Sequence, residues 1–457
     1  MPEPPRTNIQ MPPLNVIIVG AGIGGLAASV ALRKAGHNVL VLEKDPSKRE
    51  IGYAVSVPPN CSRVLRSLGI DLKKARATDW SGLDYIRADL HPPETLPRRY
   101  INTEDMYGAP HLCCHRVDLH EALREKALDP SVVGGPPVTI KEGARVVEFD
   151  PDQGWVRQQN GEVLYADLIV AADGIRSKAH KWILGEEQPA ELSKLRSIRF
   201  VVPTETLLKN PKTRPLIENL HNEGTRAAVW FGESGKIGIF QSPCRDNTLQ
   251  NFVIYDIADA NQTPSPDWIK KADRQQALDL LQREGFDESV QEIVRCSNEH
   301  DMYLWKVGDR YPFPKLQSGK LVILGDAAHP MRPDHGQGAS QAVEDAGVLG
   351  IIMENASGPE VPGRLRMWEA LRRPRVAVTQ LCSRAETLSF EMSEENIQKV
   401  HAIMPPEELP ELTRPGLFHW WFKYDTLAEA RRFLNEQLKI AKSLDDRFWK
   451  TVMSETW

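Results

Sequence analysis

The sequence contains no apolar run approaching the ~20 residues that a membrane-spanning helix requires, so a helical membrane span is not expected. It also lacks an excess of basic charge. The net charge is −5 and the isoelectric point about 6.2, which argues against nucleic acid or an anionic membrane as a partner. Cysteine is sparse: the six cysteines show no C-x-x-C spacing. Cys113 and Cys114 are adjacent, poor geometry for a disulfide or a zinc site, so no metal is expected and the thiols read as reduced, mostly buried groups of a cytoplasmic protein. Residues 1–13 carry one arginine, several prolines and no hydrophobic core, so they read as a disordered lead-in and not a secretory signal. No internal repeat is visible. What remains is a chain of 457 residues, 41% hydrophobic and 26% charged, a composition ordinary for a soluble enzyme of two or three domains.

The most informative stretch is Val16 to Leu26. A β-branched apolar run breaks into Gly20, Ala21, Gly22, Ile23, Gly24 and Gly25, then continues with apolar residues at helical spacing. Strand, tight turn and helix with G-x-G-x-x-G at Gly20, Gly22 and Gly25 is the pattern that sets a pyrophosphate on a helix N-terminus. A second strand, Asn38 to Leu42, ends at Glu43, eighteen residues after Gly25, with Lys44 next. An acid at that distance grips both hydroxyls of an adenosine ribose and disfavours a 2′-phosphate, so the pattern predicts FAD or NAD rather than NADP at this site.

Further along, Gly52 to Asn60 leads into a helix from Cys61 to Leu68, closed by Gly69 and capped by Asn60 or Ser62. This stretch suits either a backbone approaching a flat cofactor or an ordinary loop-to-helix connection. Asp79 to Tyr100 reads as a strand pair, and a helix begins near Arg116, whose side chain meets either a phosphate or solvent. Strands between Val138 and Val163 form a small meander. The buried strand Leu168 to Ala172 then closes on Asp173-Gly174, at the sheet edge where ligands of such sheets bind. From about Lys194 to Glu299 the texture becomes antiparallel, followed by one or two amphipathic helices between Asp267 and Cys296. The first texture returns at Lys320 to Ala339: a buried strand, Gly325-Asp326, a glycine-rich turn, then a helix from Ser340 to Met353. The tail is helical, and its aromatics Trp420, Trp421, Phe422 and Tyr424 read as packing.

Three ligand-facing strand ends suit a long cofactor touched at its adenosine, pyrophosphate, ribityl and ring ends, which fits FAD better than NAD. The trio G-A-G-I-G-G, A-A-D-G-I-R-S and G-D-A-A-H-P-M-R-P-D-H-G-Q-G-A resembles the single-component FAD-dependent aromatic hydroxylases, and within them the fungal salicylate-hydroxylase-like monooxygenases. H-R-V-D-L-H at 115–120 and W-E-A-L-R-R-P-R at 368–375 extend the likeness across roughly residues 14–385. The resemblance implies an α/β fold: a Rossmann-like FAD domain (14–82, 108–190, 300–390), an inserted antiparallel-sheet substrate domain (83–107, 191–299) and a helical C-terminal region (391–457). It also implies cofactor roles for Gly20, Gly22, Ile23, Gly24, Gly25, Glu43 and Lys44 at the ADP half. Arg116 would lie near the pyrophosphate and Asp326 on the ribityl chain, with Asp173, Gly325, Pro333, Gly336, Gln337, Gly338 and Ala339 completing the site.

The activity it implies is hydroxylation of an aromatic (phenolic or carboxylate) small molecule with NADH or NADPH and O2, through a flavin C4a-hydroperoxide. The protein's part is a dry cavity, orientation, and N–H groups of the helix near Gly336 aimed at the reduced ring's negative charge. Arg199 resembles a substrate-facing family arginine and is the catalytic candidate, with a surface arginine on an edge strand as the alternative. Phe240-Gln241 stands where many relatives have Tyr-Pro, which leaves Tyr53, Tyr85, Trp230, Phe240 and Gln241 as substrate-site candidates. His329 and His335 read as structural. Rival readings are an indole-alkaloid epoxidase of the same fold, a flavin reductase or dehydrogenase that transfers no oxygen, and a binding protein without flavin chemistry. A homodimer is compatible with all of them.

Overall fold

The computed structural model describes residues 12–46, 52–97, 102–235, 237–257, 268–385 and 391–454. Nearly all of the expected lead-in lies outside them. Among the described residues, two large sheets organise the chain. The first has the spatial order Gln317–Ser318, Leu321–Ile323, Leu168–Ala171, Asn15–Val19, Asn38–Glu43, Thr139–Glu142. Apart from its outer hairpin (317–323), neighbouring strands run parallel. The central strands are therefore apolar along their whole length, and Leu168–Ala171 is buried at every position. The helices Ile23–Lys34 and Gly338–Ile352 pack together against this sheet. They approach so closely that a Cβ on Gly350 would stand 2.9 Å from that of Ala31.

The second sheet has the order Ile269–Lys271, Tyr303–Asp309, Glu191–Pro203, Leu249–Ile257, Gly238–Cys244, Arg226–Phe231, Gly82–Arg87, Glu94–Thr95. It is antiparallel except where Arg226–Phe231 runs parallel to Gly82–Arg87. Helices between 204 and 221 and between 274 and 295 bury one face of it around Ile198, Phe200, Phe252, Ile254 and Trp230. The expected domain boundary at residue 300 is corrected here. Tyr303–Asp309 pairs with Glu191–Pro203, so the chain returns to the first domain only after Asp309.

Local expectations shift by small amounts, each for a physical reason. The helix ending at Gly69 begins at Pro59, whose fixed φ suits the first turn, and Asn60 does not cap it. Its side chain reaches Glu344 (2.6 Å) and Gln337 (3.1 Å) instead. Thr139–Glu142 joins the parallel sheet and leaves the meander to Val146–Asp150, Trp155–Gln158 and Val163–Tyr165. The C-terminal helices Glu394–Ile403, Arg414–Lys423 and Thr426–Ser454 follow, and Trp421 and Phe422 pack with Val378, Leu381 and Leu417. A bidentate pair of Arg245 with Asp118 (2.8 and 2.8 Å) ties the tip of the second sheet to the helix Arg116–Leu128. No helix among the described residues is long and apolar enough to cross a membrane.

Candidate active site

At the adenosine end, the strand Asn15–Val19 stops at Gly20, where φ is +103° and a Cβ would lie 2.5 Å from the carbonyl oxygen of Ala172. A Cβ on Gly25 would be driven into the carbonyl oxygen of Gly20. Gly22 is different: no atom lies within 4 Å of where its Cβ would be. The first two glycines are thus demanded by packing, the third by whatever fills the space in front of it. Gly22 also caps the helix Ile23–Lys34 without any side-chain partner, so the first helical N–H groups are left for an anion. Ile23 is buried in the core, and Gly24 packs under Ala342 and Leu324. The Glu43 carboxylate accepts N–H bonds from Ala21 (2.7 Å) and Asp45 (2.8 Å), which fixes it beside the turn. A cavity of about 790 Å³ opens here, lined by Gly22, Glu43, Lys44, His120, Asp173 and Arg176 among others.

The second and third motifs meet in the middle. Burial pushes the Asp173 carboxyl up, opposed by a hydrogen bond from Ser177 and the charge of Lys44. Its Oδ1 is sealed from solvent and has no hydrogen-bond partner. Burial likewise raises Asp326, against the opposing charges of His329, Arg116 and Arg310. Arg116, at the first position of its helix, has its own pKa lowered by burial and held up by Asp326. Arg310 donates to the carbonyls of Ala327 and Ile175, both at 3.1 Å, and so ties the two motifs together. Burial lowers its pKa to about 10, against the charges of Asp326 and Asp173.

At the ring end, Pro333–His335 forms a short turn that Gly336 closes in the left-handed region, φ +63°. The helix then starts at Gly338, two residues earlier than expected, with Gln337 as its cap. The Gln337 side chain accepts from Asn60 and Gln341 and turns inward, so its contribution toward a ligand is backbone. Beside Gly338 the nearest atom to a would-be Cβ is 3.9 Å away, and half-buried Ala339 follows. The helix is held from behind by a buried ionic network. Asp345 binds His329 (2.6 Å) and Arg372 (2.8 Å) and accepts the N–H of Gly325 (3.1 Å), while Glu344 binds Arg372 and Arg375. The histidine of G-D-A-A-H-P is thus structural here, and the W-E-A-L-R-R-P-R segment supplies the network's arginines. His335 donates to the Cys382 carbonyl, and burial lowers its pKa to about 4.

The second sheet presents its uncovered face to this turn, and strand register decides which candidates stand there. Arg199 pairs with Val253, Val253 with Phe240, Phe240 with Val229 and Val229 with Tyr85, so these residues share one face. Half-buried Arg199 lies over the Trp305 ring (5.4 Å), bonds Ser197 (3.1 Å) and has its pKa lowered by burial. Tyr53 donates to the Arg199 carbonyl (3.2 Å), and Tyr85 accepts from Arg414 (2.9 Å). Two expected substrate residues fall on the other face. Trp230 pairs with Ile239, which pairs with Ile254, and all three belong to the helix-covered core. Gln241 pairs with Phe252, is fully buried and bonds Gln250 (2.6 Å). Consecutive side chains on a strand point oppositely, so one of Phe240 and Gln241 had to face away.

Sequence reasoning passed over His120, Arg310, Tyr255, Trp305, Ser56 and His111. His120 was within reach, because it lies one helical turn beyond Arg116 and donates to the Ala21 carbonyl (2.7 Å) at the glycine turn. The others are brought in by contacts between segments distant in sequence, and no local signal marks them.

The residues fit FAD: open space beside Gly22 and Gly338, an unpartnered Asp173 oxygen, and two helix N-termini without side-chain caps. Comparison with known proteins agrees. A family model described as FAD binding domain matches residues 13–381. The chain is 32% identical over 379 residues to the FAD-dependent monooxygenase cfoG of Aspergillus candidus, covering 81% of this chain and 85% of that protein. It is 30% identical to the hispidin-3-hydroxylase of Neonothopanus nambi, covering 79% and 86%. In fold it resembles a salicylate hydroxylase solved with substrate (TM-score 0.69, 23% identity, 92% and 98% covered). It also resembles CtdE solved with FAD and a substrate (TM-score 0.74, 22% identity, 95% and 100% covered). The chain belongs to the FAD-dependent monooxygenases of this FAD-binding family.

Proposed function

We propose that the protein hydroxylates an aromatic small molecule, with NADH or NADPH as electron donor and O2 as oxygen source. The observation that carries this reading is the wall opposite the Gly336–Gly338 turn, where Arg199 lies among Trp305, Tyr255 and Phe240, with Arg414 held on Tyr85 of the same face. Such a wall suits a flat, electron-rich ring bearing an acidic group. Bound and reduced, FAD supplies activation of O2 for transfer of one oxygen atom. The chain's own residues do the rest. Gly22 and the helix behind it bind the pyrophosphate, and Glu43 binds the ribose. The N-terminus of Gly338–Ile352 stabilises negative charge on the reduced ring. Arg199 and Tyr53 orient the substrate, and the apolar wall keeps water from the reacting atoms.

The test is a screen of phenols, aromatic carboxylates and indoles against the purified yellow protein. NAD(P)H consumption and product mass are followed under isotopically labelled O2. Substrate-accelerated oxidation with labelled oxygen in the product is expected. Equal turnover without O2 on another acceptor would overturn the reading in favour of a reductase.

A further inference from the structure

The aromatic face has a second polar end that Arg199 does not explain. Ser56 lies on the short strand Ala54–Val57, directly against the Gly336 turn: a Cβ on Gly336 would stand 2.9 Å from the Ser56 Cβ and 3.2 Å from its Oγ. The Ser56 hydroxyl in turn lies 2.9 Å from Nε2 of His111. Aromatic and backbone contacts hold that imidazole in place. Its ring stacks on Trp80 at 4.1 Å and 29°, and meets Phe422 edge-on at 5.4 Å. Trp80 continues to Phe240 of the substrate face at 5.9 Å. The His111 backbone is tied by its N–H to Thr103 Oγ1 (2.8 Å) and by its carbonyl to the N–H of Trp80 (3.0 Å). Ser56, His111, Trp80 and Phe240 are all half-buried, none sealed in the core, as expected of side chains facing an internal space.

A ring so enclosed stays neutral; burial lowers its pKa to about 3. A neutral imidazole with one nitrogen shared with a serine hydroxyl presents a directional donor and acceptor, not a charge. We propose that the Ser56–His111 pair receives a hydroxyl group of the aromatic substrate and so sets which ring carbon faces the reactive end of the flavin. On this reading Arg199 and the Ser56–His111 pair hold two different polar groups of the same substrate. This rests on the aromatic-hydroxylase reading above.

The test uses the FAD-loaded protein and ligand pairs differing by a single hydroxyl: salicylate with benzoate, 6-hydroxynicotinate with nicotinate, 2-naphthol with naphthalene. Binding is read from the perturbation of flavin absorbance, and product per NAD(P)H consumed is read alongside. The unaltered protein should bind the hydroxylated member of at least one pair about tenfold more tightly, the size of one well-formed hydrogen bond. Ser56→Ala and His111→Phe, which preserve the packing, should each erase that ratio and divert turnover toward uncoupled oxidation while flavin content stays unchanged. Binding without a preference for the hydroxyl, or a preference that survives both substitutions, overturns the pair's role and leaves the general reading intact. If no ligand of the panel perturbs the flavin, both fall.

Discussion

The two sheets of this protein solve opposite problems. The parallel sheet must bring backbone to a cofactor, so its demands fall on strand ends and glycines: Gly20, Gly25, Gly325 and Gly336 have positions that a side chain would spoil. The eight-stranded sheet must bring side chains to a substrate, so its demands fall on pleat and register. There a neighbour in sequence, such as Gln241 beside Phe240, ends in a different environment altogether. One half is specified locally, the other by pairing across the fold.

Breaking the first half should have the largest effect. In Gly25→Ala the new Cβ meets the Gly20 carbonyl oxygen, backbone that cannot move without displacing the strand. Purified Gly25→Ala protein is expected to be colourless and not to recover flavin on incubation with FAD, measured as flavin absorbance per chain. In Gly22→Ala, where the added methyl enters open space, the chain should fold with unaltered thermal stability and lose FAD affinity alone. Equal behaviour of the two variants would mean that the glycines do not divide into packing and ligand positions.

The second half should respond through chemistry. Arg199→Gln removes the guanidinium that lies over Trp305, and a fall of about a hundredfold or more in product formation is expected with flavin content unchanged. A variant with full product formation would remove Arg199 from the substrate end.

This contrast also explains how much of the molecule could be read from its sequence. The FAD motifs were legible because each is written in a short contiguous pattern of strand, glycines and helix, whereas the inserted domain showed only as a change of strand texture. Trp230 and Gln241 were misplaced because period-two alternation names two faces without saying which one helices will cover. Arg310 and His111 left no trace, since their meaning arises from partners more than 50 residues away, Ile175 and Ser56. The boundary at residue 300 failed for a related reason: Tyr303–Asp309 pairs with a strand a hundred residues earlier.

The two faces of the large sheet can be separated directly. Trp230→Ala opens a void in a fully buried site and should cost about 3–5 kcal/mol of stability, seen as a lowered unfolding midpoint. Phe240→Ala, on the half-buried side, should change stability far less and weaken ligand binding instead. Trp230→Phe should leave ligand preference untouched; a changed substrate range in that variant would put the indole back in the substrate site.

The smallest effect is electrostatic, and it separates carboxylates within the cofactor half. The protein around Asp326 raises its pKa although the carboxylate opens onto the cofactor space, so its folded pKa lies above the unfolded one and its charge costs the flavin-free protein some stability at neutral pH. As pH falls through that folded value the burden is relieved, and apoprotein stability should rise. Asp345 behaves oppositely. Burial alone would raise it, but the charges of His329 and Arg372 hold it at about 2 against a usual 3.8. Its contribution is present above about 3.8 and is lost as pH falls toward 2. A thermal-unfolding series on apoprotein should therefore show a shallow maximum in the mildly acid range before the acid limb. Asp326→Asn should flatten the rise on the alkaline side of that maximum and leave the limb below 3.8 in place. A rise that survives Asp326→Asn would assign it to another carboxylate of the cofactor site, with Asp173 as the next to substitute.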